Sequence, residues 1–193
     1  MLNSKEKENR RLQFSEGITH INMNKNARTD LGRMLSKEYR SQFTHPTLGC
    51  FSSLLNFWFF LQMPKDGDKI RFLETHRVYA VSRKYRLIGI PHFKRLIFEG
   101  NYYKITQNAT LRKEIIQCQL PFQCYHYQRQ SQKDTETNYK IIHTPYPIEE
   151  KSAIWLIPQV TAIQEILRSG VSIEHVNTEE LAHRHLMKEP AYV

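Results

Sequence analysis

Thiols and imidazoles are the side chains that could hold a metal. Cys50, Cys118 and Cys124 are the chain's three cysteines, and Cys124 stands two positions before His126. Structural zinc asks for ligand pairs such as CxxC with a second pair further on. Cys118 and Cys124 are six positions apart and no second pair follows, so no metal is expected. His183 and His185 fall on different faces of any helix. There is no Walker loop, dinucleotide fingerprint, HExxH or nucleophile elbow. Seven glycines leave little material for a loop that cradles phosphate, and no cofactor is expected.

The remaining chemistry is carried by charge. The formal net charge is +9, and it is uneven. Between Lys69 and Glu114 eleven Lys and Arg face three acids, a local balance of +8. From Asp134 onward five basic residues face nine acids, a balance of −4. A basic middle points to an anionic partner such as a phosphate, a nucleotide or a nucleic acid. An odd cysteine count without an export signal at MLNSKEKENRR reads as reduced thiols in a cytoplasmic protein. In that setting the sequon Asn108-Ala109-Thr110 would go unused.

The 193 residues suffice for one domain with a sizeable core. Residues 1–17 are polar and charged and are expected to form a mobile lead-in, with the domain over 18–170 and a tail over 171–193. Ile18 to Asn24 alternates and reads as a short strand, whereas the segment around Gly32 is ambiguous. The apolar block Leu54 to Leu61 is too short to span a bilayer, which takes roughly 20 residues, so no membrane is expected. Ser52 or Ser53 can cap a helix there that ends before Pro64, with Leu54, Phe57, Trp58 and Leu61 on one face and Leu55 and Phe59 on another.

Lys69 to Arg86 is a basic helix candidate. His92 to Ile105 reads as a helix weakened by Gly100, with Leu96, Phe98, Tyr102 and Ile105 inward. Asn108 can cap a helix bearing Leu111, Ile115 and Cys118. Two strands around the polar linker RQSQKDTETN precede a last helix with Pro158 near its start and Gly170 as its stop. The fold class is α+β, helix-rich, with a few short strands.

Over residues 18–168 the order of segments resembles the NADAR superfamily, in particular its divergent branch seen in large bacteriophages. Gly32-Arg33-Met34-Leu35-Ser36 is similar to the start of that family's first motif. Ser53 to Trp58 follows the frame of the second, and Lys104-Ile105-Thr106-Gln107-Asn108 with Leu111 follows the fourth. The resemblance implies a NADAR-like fold and an N-glycosidase acting on ADP-ribose attached to a base, or on a related phosphorylated ribosyl ligand. Such a reaction passes through a ribosyl cation and needs a carboxylate near the anomeric carbon and donors on the phosphates. The implied ligand-binding residues are Arg33, Ser36, Lys37, Trp58, Lys84, Arg86, Lys104 and Asn108, with Arg83, Lys94, Arg95 and Tyr103 as further candidates.

The chain departs from the family at the carboxylate. Leu55 stands where the resemblance calls for a helix glutamate, and Lys37-Glu38 replaces Asn-Phe after Leu-Ser. Leucine can neither stabilise positive charge nor polarise water. The implied catalytic residues are therefore Glu38 and Glu99, with Glu74 a third candidate, unless hydrolysis is lost and binding alone remains. A basic adaptor for nucleic acid or a host protein is the alternative from another class.

Overall fold

Gly32 settles how the segment before the apolar block folds. The computed structural model describes residues 14–63, 65–85, 87–133, 139–147 and 155–170, with backbone alone for 126–133 and 139–147. Helix α1 spans Asp30–Leu35, and the Thr29 hydroxyl accepts from the Gly32 N–H at its N-terminus. A Cβ on Gly32 would lie 2.3 Å from the Asn22 carbonyl oxygen, so glycine alone lets α1 lie against strand β1, Ile21–Asn22. That strand is shorter than the alternation predicts, and Ile18 is exposed.

The predicted lead-in reaches into the fold at its end. Glu16 is buried, and its Oε1 accepts from the Arg28 and Thr29 backbone N–H groups. Residues 1–13 of the lead-in, and the tail over 171–193, lie outside the described residues.

Two strands that sequence alone does not announce come next. β2, Arg40–His45, and β3, Gly49–Ser53, form an antiparallel hairpin, with Gly49 at φ +83 where the chain turns back. Ser41, Phe43 and His45 point inward on β2. A serine and a histidine on the buried side mask the period-2 pattern that marks a strand.

Helix α2, Leu54–Gln62, forms as the spacing predicts, with the Ser53 hydroxyl accepting from the Asn56 N–H at 3.3 Å. Leu54, Leu55, Phe57 and Leu61 are buried, and Trp58 is half-buried. Asn56 is the polar exception, and it has work to do: its Nδ2 donates to the carbonyls of Ile70 and Leu73. Those bonds hold a 3-10 turn, Gly67–Ile70, and a break at 71–74 in place of one long basic helix. Helix α3 then covers only Thr75–Ser82.

Helix α4, Phe93–Gln107, crosses α2 at Gly100, where a Cβ would meet the Phe57 ring at 2.7 Å and a Leu54 methyl at 3.1 Å. The glycine that weakens the helix pattern is thus what permits the crossing. The inward face of α4 also carries Ile97, Asn101 and Lys104 beside Phe98 and Ile105. Asn108 caps α5, Ala109–Gln117, and the short β4, Phe122–Gln123, pairs in parallel with β1. Strands β5, Tyr125–Lys133, and β6, Tyr139–Pro147, form an antiparallel pair, so strand occupies much of the predicted linker. Helix α6, Leu156–Ser169, stops at Gly170, which is left-handed at φ +70.

Among the described residues the molecule is a helix-rich α+β domain, with six α-helices and three two-stranded sheets. Its main core joins α1, α2, α4, α5 and α6 through Phe43, Phe51, Phe57, Ile97, Ile105, Leu111 and Ile163. A satellite cluster of Leu55, Met63, Ile70 and Val78 fastens α3 to the far side of α2. No helix among the described residues is long and apolar enough to cross a membrane.

Phe57 packs its ring against Phe43, Phe51 and His45, so nothing around it can yield. Phe57→Ala is expected to lower stability by about 3–5 kcal/mol in urea unfolding. Gly100→Ala, which in an open helix would stabilise by about 0.5–1 kcal/mol, is expected to destabilise instead, by about 1–3 kcal/mol. A more stable Gly100→Ala protein would refute the crossing.

Candidate functional site

The turn that leaves α1 carries three of the predicted residues, Ser36, Lys37 and Glu38. Its geometry follows from Lys104. That side chain has no exposed surface, and its Nζ donates to the Ser36 carbonyl at 2.7 Å. The Ser36 hydroxyl in turn donates to Glu38 Oε2 at 2.7 Å, and the Tyr79 hydroxyl on α3 donates to Glu38 Oε1 at 2.8 Å. Both carboxylate oxygens thus have a donor. From the other side, the Leu55 N–H in the first turn of α2 donates to the Lys37 carbonyl at 2.8 Å.

Burial sets the charges. It would lift the Glu38 carboxyl, but hydrogen bonds from Ser36 and Tyr79 and the charge of Lys37 hold it below the usual carboxylate range. Burial pulls Lys104 down to about 7, although the Glu38 charge works against the fall. Tyr79 is pushed up by burial and by Glu38, and therefore stays a donor. Cys124 is pushed up to about 11 by burial, with Lys37 opposing and Glu38 assisting. At neutral pH the site holds an ionised carboxylate beside a lysine near its titration point.

An aromatic wall adjoins the turn. Lys37 Nζ lies 5.0 Å from the Trp58 ring centroid. Trp58 stacks on Trp155 at 5.4 Å and 27°, and Phe93 meets it edge-on at 4.8 Å. Lys94 covers the Trp155 ring at 5.9 Å. The cluster therefore offers a carboxylate, a cation and flat apolar faces, a set that suits a charged sugar bearing a base.

Of the residues singled out in the sequence, the structure brings Ser36, Lys37, Glu38, Trp58 and Lys104 together. Lys104 is wholly covered, and its amine is directed to the Ser36 carbonyl. The other predicted residues lie elsewhere. Arg33 donates to the Ala27 and Arg28 carbonyls and pairs with Asp30, which keeps it on its own helix end. Asn108 caps α5 and donates to Ser41 Oγ at 2.9 Å. Lys84 is exposed beyond the end of α3. Arg86 lies outside the described residues.

Glu99 belongs to a second cluster. It accepts from His45 Nε2 and Arg95 Nε, each at 3.1 Å, and the His45 bond holds it below its ordinary range. The Thr47 N–H faces His45 Nδ1 at 3.3 Å, which fixes the Nε2–H tautomer toward Glu99. Glu99 shares no partner with Glu38. Glu74 pairs with Arg40 on the surface.

Tyr79, Trp155, Phe93 and Cys124 are the site neighbours that sequence reasoning passes over. Tyr79 reads as apolar filling on α3, and its position 41 residues from Glu38 gives no local signal. Leu55 is wholly buried among Met63, Ile70 and Val78. A carboxylate substituted there would be forced into an apolar cluster. Among the described residues no group of three His, Cys, Asp or Glu could hold a metal ion. No protein-family model, curated protein or solved structure matches the chain.

The Lys104 amine has a sign that can be measured. Between about pH 7 and its ordinary 10.5 the unfolded chain holds a proton that the folded chain has lost, so stability rises with pH. Below pH 7 both states are protonated and the dependence vanishes. The Cys124 thiol begins to titrate in the unfolded chain as pH approaches its ordinary 9.0 and acts in the opposite sense, and Tyr79 follows at higher pH, which leaves pH 7–8 as the clean window. Urea unfolding should show stability climbing there by up to about 1.4 kcal/mol per pH unit, and Lys104→Met should flatten the climb. An unchanged slope in Lys104→Met would contradict the assignment.

Proposed function

We propose that the Ser36–Glu38 turn and the Trp58 wall bind an ADP-ribose-type ligand, and that the protein is a slow N-glycosidase on ADP-ribosylated bases. The NADAR resemblance supplies the reaction class. The observation that carries the proposal is Glu38, an ionised carboxylate held by two hydroxyl donors next to the first turn of α2. Leu55, where the resemblance calls for a helix glutamate, meets this turn through its backbone amide. Glu38 stands in for the carboxylate that Leu55 lacks.

The residues divide the work. Trp58, backed by Trp155, stacks on the base or ribose face, and Lys37 meets a phosphate oxygen. As the bond between the anomeric carbon and the base nitrogen breaks, its electron pair leaves with the base and the ribose becomes cationic. Glu38 stabilises that cation, and water adds at the same carbon and gives up a proton to the solvent, from which the departing base takes one. Its low pKa suits an electrostatic role and not proton donation to the leaving base. Protonation of the base is then unassisted, and turnover stays below about 1 s⁻¹, an ordinary enzymatic rate.

Trp58 and Trp155 are the chain's two tryptophans, so a ligand stacking here must alter intrinsic fluorescence. Titration with ADP-ribose is expected to change that emission. Glu38→Gln should keep the fluorescence titration while losing about 10²–10³ in the rate of guanosine release from ADP-ribosylated guanosine. A silent titration would remove the ligand reading, and full turnover in Glu38→Gln would remove the carboxylate's role.

A further inference from the structure

We propose that the outer face of α3, with Arg83, Lys84, Tyr85, Leu87 and Ile88 after it, binds single-stranded nucleic acid. Between Glu74 and Glu99 the chain contains no acidic residue, yet Arg77, Arg83, Lys84, Lys94 and Arg95 all fall there. Arg95 pairs with Glu99, and Lys94 lies over Trp155. Arg77, Arg83 and Lys84 are exposed, and no carboxylate among the described residues pairs with them. Cations left without counter-charges on one helix are a standing attraction for phosphate.

The helix arranges them usefully. Val78 and Ser82 face inward, which turns His76, Arg77, Ala80 and Arg83 outward, and Lys84 follows at the C-terminal end. Arg77 and Arg83 are six residues apart, about 9 Å along the axis at 1.5 Å per residue, a span that covers successive phosphates of one strand. Large side chains flank the basic face: Phe72 is 58% exposed before it, and Tyr85, Leu87 and Ile88 are 36–39% exposed after it. A bilayer surface would ask for a continuous apolar stripe. Here the apolar groups stand at the two ends, and nothing larger than Ala80 lies between them.

Exposed rings beside cations match the stacking platforms that hold unpaired bases. Duplex DNA would leave Phe72 and Tyr85 nothing to stack on. Stacking on rings and pairing with phosphates both tolerate any base, so binding should be largely indifferent to sequence. The inference is independent of the ribosyl reading, because it uses none of Ser36, Lys37, Glu38 or Trp58.

Fluorescence anisotropy with a labelled 20-mer of dT, a mixed-sequence RNA 20-mer and a 20-bp duplex tests it. Both single strands are expected to bind with similar affinity, and the duplex more weakly. Three phosphate contacts should give a log–log salt slope of about −2, at −0.7 per contact for single strands. The combined variant Arg77→Ala, Arg83→Ala, Lys84→Ala should bring the slope close to zero. Tyr85→Ala should weaken binding about tenfold with the slope retained. Lys113→Ala, on the exposed side of α5, should change neither. Absence of binding at low salt overturns the proposal. So does an effect of Lys113→Ala equal to that of Lys84→Ala alone, which would mean unspecific attraction by net charge. Binding to phosphatidylserine vesicles without binding to either oligonucleotide would assign the face to lipid and also overturn it.

Discussion

A lysine amine with no exposed surface is the constraint around which the site is arranged. Burying such a group costs several kcal/mol unless it finds partners. Lys104 has the Ser36 carbonyl as acceptor and the Glu38 charge nearby. The Ser36 carbonyl lies at the exit of α1, where the last carbonyls of a helix have no partner within it. One side chain thus answers two needs, its own and that of the helix end. It also ties the last turn of α4 to the turn that carries Glu38.

From that tie the rest of the arrangement follows. With Ser36 fixed, its hydroxyl can hold one oxygen of Glu38, and α3 brings Tyr79 to the other. α3 itself is held in place by the satellite cluster around Leu55, so this apolar residue helps to place the tyrosine. Leu55 on α2 and Glu38 on the neighbouring turn are thus linked through the same packing. The Leu55 amide bonded to the Lys37 carbonyl makes the link a direct one.

The sequence carries most of the helices and little of the sheet. α2, α5 and α6 are legible because their caps and apolar spacing agree: Ser53, Asn108 and Gly170 stand where each helix begins or ends. The β2–β3 hairpin is not, since Ser41 and His45 occupy inward positions that local pattern assigns to solvent. The basic segment after Lys69 looks like one helix because the agent that interrupts it, the Asn56 amide, acts from another helix. At the site, Ser36, Lys37 and Glu38 are adjacent in sequence and could be read together. The roles of Lys104 and Asn108 could not, because both depend on backbone or side-chain groups about 67 residues away. Sequence names the polar residues, and burial decides whether they meet a ligand or the chain itself.

The pairing of β1 with β4 has a consequence for how the chain is made. Ile21 aligns with Phe122, and the Tyr125 amide closes on Asn22 across 103 positions. Contacts so distant in sequence are slow to form, because a long loop must close before they repay its entropy. On a ribosome, the segment from Glu16 to Asn24 has no strand partner until β4 has emerged from the exit tunnel. During that interval Ile21 and Met23, both buried in the finished molecule, are open to water and to other nascent chains. Folding of the N-terminal edge is therefore post-synthetic with respect to more than half of the sequence, and it is the step at which a chaperone would have something to hold.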